Sequence, residues 1–268
     1  MKFKQVALPY NFQPSKAQGL TNDLLILNNK YFVKRSKPIT KAFLNWKNQI
    51  NVINEIKNAK FTLPILETTI ADDKLWILMP YYQNLSALAK QTINQETLKI
   101  LAKLVQQLHQ IKIKNNIKQW DAIKQLNLYC NLIKSKDNFQ TIKNELIQWL
   151  KTYQPQQIVL AHNDLIIDNF VYQDKKWYLI DWDFATLNDR LFDIASFVSE
   201  TLTKSEDINY WYQLFKISES ELEIINNWIK YQNLIWYHWA EYLYQKTNNK
   251  TYQTIAKIKL ANLNKQVN

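Results

Sequence analysis

Glycine occurs once in these 268 residues, cysteine once and arginine twice. The lone Cys130 excludes an internal disulfide and suits a reducing compartment, so a cytoplasmic location is expected. No run approaches 18 consecutive apolar residues, which argues against a membrane-spanning helix and against membrane insertion. The opening stretch, MKFKQVALPYNFQP, has two lysines with no long apolar run behind them and does not read as a signal peptide. The shortage of arginine bears on partners. The formal charge is +11, yet only Arg35 and Arg190 could make bidentate contacts to phosphates or base edges, and the 32 lysines are scattered rather than clustered. No specific nucleic-acid partner is expected, and a monomer and a homodimer are equally compatible with the sequence.

Apolar residues make up 47% of the chain and aromatics 13%, enough for a substantial core in one large domain or in two lobes. Residues 23–35, DLLILNNKYFVKR, read as two strands joined at Asn28-Asn29. Phe43, Trp46, Ile50 and Ile53 recur at helical spacing over 40–57. FTLPILET and KLWILMPYY then read as strands separated by Ala71-Asp72-Asp73. Beyond residue 85 the pattern is mostly helical, as in LKILAKLVQQLHQI and over 139–152 and 219–246. Short apolar runs at 157–184 form a central hairpin turning at Asp174-Lys175-Lys176. The expected fold is α+β: a small antiparallel sheet with one helix over 1–82, and a larger, mainly helical part over 83–268. A cleft between two such lobes is the default ligand site.

Charge is distributed unevenly. Ten of the 23 acids fall within residues 162–207 of a basic protein, which points to a metal or cation site there. Within that segment His162-Asn163-Asp164 is followed by Asn169, and Asp181-Trp182-Asp183 comes twelve residues after Asn169. Phosphoryl transfer needs these residue types. An acceptor hydroxyl needs a carboxylate to orient it and take its proton, a role for Asp164. Magnesium on the phosphates wants hard oxygen ligands, a role for Asn169 and Asp181, which a hairpin over 170–181 would bring together.

The stretch 162–200, HNDLIIDNFVYQDKKWYLIDWDFATLNDRLFDIASFVSE, resembles the choline/ethanolamine kinase branch of the aminoglycoside-phosphotransferase-like proteins, which have a two-lobed, protein-kinase-like fold. Asp183 matches that family's second acid, a metal or substrate-side residue, and Asn188, Arg190, Phe192 and Asp193 match its next block. GLTN at 19–22 resembles the family's phosphate-facing turn, which implies phosphate contacts from Gly19, Thr21 and Asn22. The only glycine implies positive φ or a close backbone approach. Lys34 matches the strand residue that contacts nucleotide phosphates, and LMPYY implies that Met79 and Tyr81 offer backbone groups to adenine. The family's helix glutamate, partner of that lysine, aligns with Gln49, which can hydrogen-bond Lys34 but cannot ion-pair with it; Glu55 is an awkwardly placed substitute.

The resemblance implies ATP and magnesium as cofactors and a small alcohol as substrate. Choline kinases have a W-x-x-W similar to Trp236-Tyr237-His238-Trp239, and a closing Glu similar to Glu200. Aromatic faces and a carboxylate suit a quaternary ammonium, which has no N–H to donate. The same tryptophans also lie near a stripe of Ile225, Trp228, Ile235, Trp239 and Tyr242 that reads as plain core packing. Choline is thus the expected acceptor, with ethanolamine, thiamine or an aminoglycoside as alternatives. A nucleotide-binding, pseudokinase-like protein is the alternative of another class.

Overall fold

The computed structural model describes residues 12–15, 19–88, 93–133 and 139–265; residues 1–11, where no signal peptide was expected, lie outside the described residues. The first elements among the described residues are β1 (Gln13–Pro14), β2 (Asn22–Leu27) and β3 (Tyr31–Ser36), then a short 3-10 turn at Pro38–Ala42 and helix α1 (Trp46–Ile56). β4 (Glu67–Ala71), β5 (Lys74–Pro80), β6 (Ser86–Ala87) and α2 (Gln95–His109) follow, then α3 (Ala122–Cys130), α4 (Gln140–Thr152) and β7 (Ile158–Ala161). Next come β8 (Phe170–Gln173), β9 (Lys176–Leu179) and β10 (Thr186–Asp189), and finally α5 (Arg190–Thr201), α6 (Ser205–Leu214), α7 (Glu219–Thr247) and α8 (Lys250–Lys265).

These elements form two compact units, each built from two stretches of chain: residues 1–118 with 166–186, and residues 119–165 with 187–268. In the first, a five-stranded antiparallel sheet has the order β1-β2-β3-β5-β4. Its hairpins turn on paired residues with positive φ: Asn28 and Asn29 (52° each), and Asp72 and Asp73 (48° and 58°). The β4–β5 loop has two residues and the β2–β3 loop three, Asn28 to Lys30; both turns need left-handed backbone, which Asn and Asp tolerate better than other side-chain-bearing residues. Period-two alternation along β5 puts Leu75 and Ile77 against Trp46 and Ile53 of α1, and Trp76 and Leu78 against Leu25, Leu27 and Val33. On β3 the same alternation separates Lys34 from Arg35, which pairs with Asp23 and lies over the Trp76 ring at 5.2 Å.

Two expectations for this unit are corrected. The strand expected over FTLPILET starts only at Glu67. Pro64 has no N–H for a ladder, and the preceding residues pair elsewhere: Leu179 donates to the Phe61 carbonyl at 2.7 Å. The helix expected over 40–57 is broken at residues 43–45, where Asn45 caps α1 by accepting from the Asn48 amide at 3.1 Å. A third hairpin, β8–β9, turns at Asp174 and Lys175 (φ 49° and 62°), with β6 on its outer side.

Among its described residues the second unit is helical apart from the β7–β10 pair. α7, 29 residues long, starts at a Ser218/Glu221 capping box and stops at Asn248 in left-handed conformation. Its Trp228 packs edge-on against Phe192 of α5 and Trp149 of α4, at 5.1 and 4.9 Å between centroids. Among the described residues, no helix is long and apolar enough to cross a membrane.

Candidate functional site

Lys34 on β3 is 8% exposed, and its ammonium pairs with Asp181 and, at 2.7 Å, with Asp183 Oδ1. Burial works against its charge, but the two carboxylates outweigh burial and hold the ammonium well above the usual lysine range. Asp183 is itself buried and accepts from four donors. Lys34 Nζ and Gln49 Nε2 (2.6 Å) reach Oδ1; Thr21 Oγ1 (2.8 Å) and Asn22 Nδ2 (2.7 Å) reach Oδ2. Burial would raise the Asp183 carboxyl, yet the Lys34 charge and these donors hold it below the ordinary carboxylate range.

Gln49 therefore donates to Asp183. Its Oε1 is buried with no hydrogen-bond partner, so the bond to Lys34 that its alignment suggested is not made. Glu55 does not take over either: it accepts from the Lys114 amide at 2.8 Å and from the Asn115 amide. A residue missed in the sequence, Asn48, ties the same helix to the acidic segment by donating to the Ala185 carbonyl at 3.2 Å. Nothing in helical spacing distinguishes it from the other polar residues of α1.

Gly19 does not have left-handed backbone; its requirement is close approach, since a Cβ there would lie 2.9 Å from the Asn22 carbonyl oxygen. Lys37 Nζ donates to the Gly19 carbonyl at 2.8 Å and the Leu20 carbonyl at 3.1 Å, pinning the turn. Met79 packs beside the Trp46 cluster, and the Tyr81 amide donates to the Lys30 carbonyl at 2.9 Å.

Asn169 ends a short 3-10 turn and is 5% exposed. The β8–β9 register, Phe170 opposite Leu179, continues with the Ile180 amide donating to the Asn169 carbonyl at 2.9 Å. Asp181, next along, adopts φ 69° and leaves its side chain 37% exposed. An amide and a part-exposed carboxylate, both hard oxygen donors, fit magnesium, which keeps several waters. Between the two acids Trp182 is anchored by its indole N–H on Thr62 Oγ1 at 3.1 Å.

In the second unit, Asp164 lies on a loop held from both sides. Asp193, in the first turn of α5, accepts from the His162 amide at 2.9 Å and the Asn163 amide at 2.8 Å. Asn163 has φ 62° and accepts from Asn188 Nδ2 at 2.8 Å, and the Leu165 amide donates to Ser196 Oγ at 3.1 Å. Asp189 caps α5 through the Leu191 amide and accepts from the Trp228 indole at 2.9 Å, while Arg190 pairs with Glu221. Asn188 and Asp193 thus shape the turn that carries Asp164, while Asp189 and Arg190 tie the start of α5 to α7.

Trp236 and Trp239 meet edge to face at 6.0 Å and are 6% and 7% exposed. Trp236 also touches Tyr129 of α3 (5.8 Å), and Trp239 touches Tyr252 of α8 (5.7 Å). Burial and then the Asp164 charge raise the Tyr129 hydroxyl far above its normal range. Glu200 is ion-paired with the buried Lys259 of α8. Neither Tyr129 nor Lys259 carried a signal in the sequence, where each is one of many of its kind.

Known proteins share this fold. Protein LicA of Haemophilus influenzae is 24% identical over 252 residues, 85% of this chain and 72% of that protein. The choline kinase LicA of Streptococcus pneumoniae superposes with a TM-score of 0.76 at 18% identity, covering 97% of this chain and 96% of the other. An ethanolamine kinase of Plasmodium vivax gives 0.70 at 18% identity, covering 98% and 84%. The fold is protein-kinase-like, as expected. A model of the phosphotransferase enzyme family matches residues 17–219, and the chain belongs to that family.

Proposed function

We propose that this phosphotransferase is an ATP- and magnesium-dependent kinase that transfers phosphate to the hydroxyl of choline, giving phosphocholine. The observation that carries the reaction class is the convergence of Lys34, Asp181 and Asp183 beside the Gly19–Asn22 turn, an anchored cation next to a part-exposed carboxylate. Lys34 would hold nucleotide phosphates with backbone amides of the Gly19–Asn22 turn, and the stretch 78–82 would take the adenine through groups other than the Tyr81 amide, which the Lys30 carbonyl already engages. Asn169 and Asp181 would hold magnesium, which when bound neutralises charge on the phosphates. Asp164 would orient the acceptor hydroxyl and take its proton as the new P–O bond forms. Supporting the reading that ATP is the donor, one LicA structure similar to this chain, with a TM-score of 0.78, is a complex with AMP.

For the acceptor, support comes from Trp236 and Trp239 meeting edge to face beside Tyr129, and from the similarity to LicA choline kinases. Lys259 already balances Glu200, so the ammonium would rely on ring faces and on the charge of Asp164 more than on Glu200. Isotope transfer from ATP to choline, ethanolamine, thiamine and an aminoglycoside tests both levels. Choline is expected to be labelled fastest, and Asp164→Ala to lower kcat by about 10²–10⁴-fold. Labelling of another acceptor alone would remove choline and leave the reaction class. Nucleotide binding without transfer to any acceptor would favour a binding protein.

A further inference from the structure

A lysine that holds phosphates binds them at lower entropic cost when a fixed carboxylate keeps it extended, because its flexible stem otherwise samples many rotamers. In this chain helix α1 supplies none. Its residues facing the acidic segment are the amides Asn48 and Gln49, and Glu55 is spent on the 114–115 loop. The carboxylate that holds Lys34 and is itself buried is Asp183. Its second oxygen holds Thr21 and Asn22, so one side chain fixes both the strand cation and the phosphate-facing turn. Magnesium would have to displace one of four donors to reach it, whereas the Asp181 side chain is 37% exposed.

We infer that Asp183 is a positioning residue, the fixed anion for Lys34 and the Gly19–Asn22 turn, and that Gln49 is neutral because the anion resides at 183. The inference rests on the kinase reading for its purpose, and on the geometry alone for its form. Gln49 offers N–H to a carboxylate that can only accept. Gln49→Glu would put two buried carboxylates in contact, with one lysine between three acids. Combining Gln49→Glu with Asp183→Asn moves the carboxylate to the helix and the amide to the acidic segment, and leaves the net charge unchanged.

The test is a swap in the full-length protein: Gln49→Glu, Asp183→Asn and the double variant. Affinity for a fluorescent ADP analogue, KM for ATP against kcat, magnesium titration and thermal unfolding without nucleotide would be measured on each. Each single variant is expected to weaken nucleotide binding by at least about tenfold. The double variant should return to within about threefold of the parent, with kcat following. Were Asp183 a magnesium ligand, Asp183→Asn would raise the magnesium needed for half-saturation and Gln49→Glu would not repair it; that result overturns the inference. So does a harmless Gln49→Glu, or additive effects on unfolding. A variant too unstable to assay singly still counts, because the double variant must then recover folding. If the parent phosphorylates no acceptor, the proposed function falls, while binding and unfolding still decide the role of Asp183.

Discussion

Lys34 and Asp183 illustrate why single residues in this protein cannot be valued by type. Asp183 has a folded-state carboxyl held below its ordinary range, so the stability it adds is present above the unfolded value of about 3.9 and drains away as pH falls through the lower, folded value. Lys34 runs the other way: its contribution is complete below the ordinary lysine range and is lost only as pH rises past its elevated folded value. Between those limits the pair does not titrate. Urea unfolding over an acid pH series should therefore show stability falling below about pH 4, with a shallower fall in Asp183→Asn. Lys34→Met leaves two acids facing a lost cation and should cost about 3–5 kcal/mol in the same assay. Gly19→Ala forces Cβ against a backbone oxygen 2.9 Å away, so the turn must shift, and the variant should both weaken ADP-analogue binding and lower thermal stability. The sequence disclosed the acids and the lysine but not who holds whom: Gln49 aligned as a partner of Lys34, and its amide goes to Asp183.

At the scale of elements, hairpins were the most legible feature, because their turn chemistry is local. Asn28-Asn29 and Asp72-Asp73 both sit where left-handed backbone is needed. FTLPILET misled because apolar β-formers around a proline look like a strand, while the pairing that Phe61 and Thr62 make, with β9, is more than a hundred residues away. The β8–β9 turn offers a direct check of the backbone argument. Lys175 has φ 62° with no short polar side chain to ease it, so Lys175→Gly should stabilise the protein by about 0.5–1 kcal/mol and Lys175→Val should destabilise it by about 1–2 kcal/mol. Denaturant midpoints at constant m-value would read both.

For the whole molecule, a strand-rich beginning and a helical remainder were enough to foresee an α+β architecture. Chain order hid which distant pieces share a unit. Residues 166–186 pack with the N-terminal sheet, so the first 118 residues alone lack Asp181 and Asp183 and leave Lys34 buried without its anions. A fragment of residues 1–118 is expected to show no cooperative thermal transition and no nucleotide affinity, by circular dichroism and by ADP-analogue titration. A sharp transition would mean that the sheet and α1 suffice. Left-handed backbone recurs across the whole chain: among the described residues eight of the ten non-glycine positions with positive φ are Asn or Asp. One guanine-to-adenine change at the second codon position turns glycine into aspartate, and a further one at the first turns aspartate into asparagine. The hairpin turns among them, at 28–29, 72–73 and 174, therefore lie on a mutational path along which a gene drifting toward A and T can lose its glycine codons step by step, while every intermediate protein keeps its hairpins.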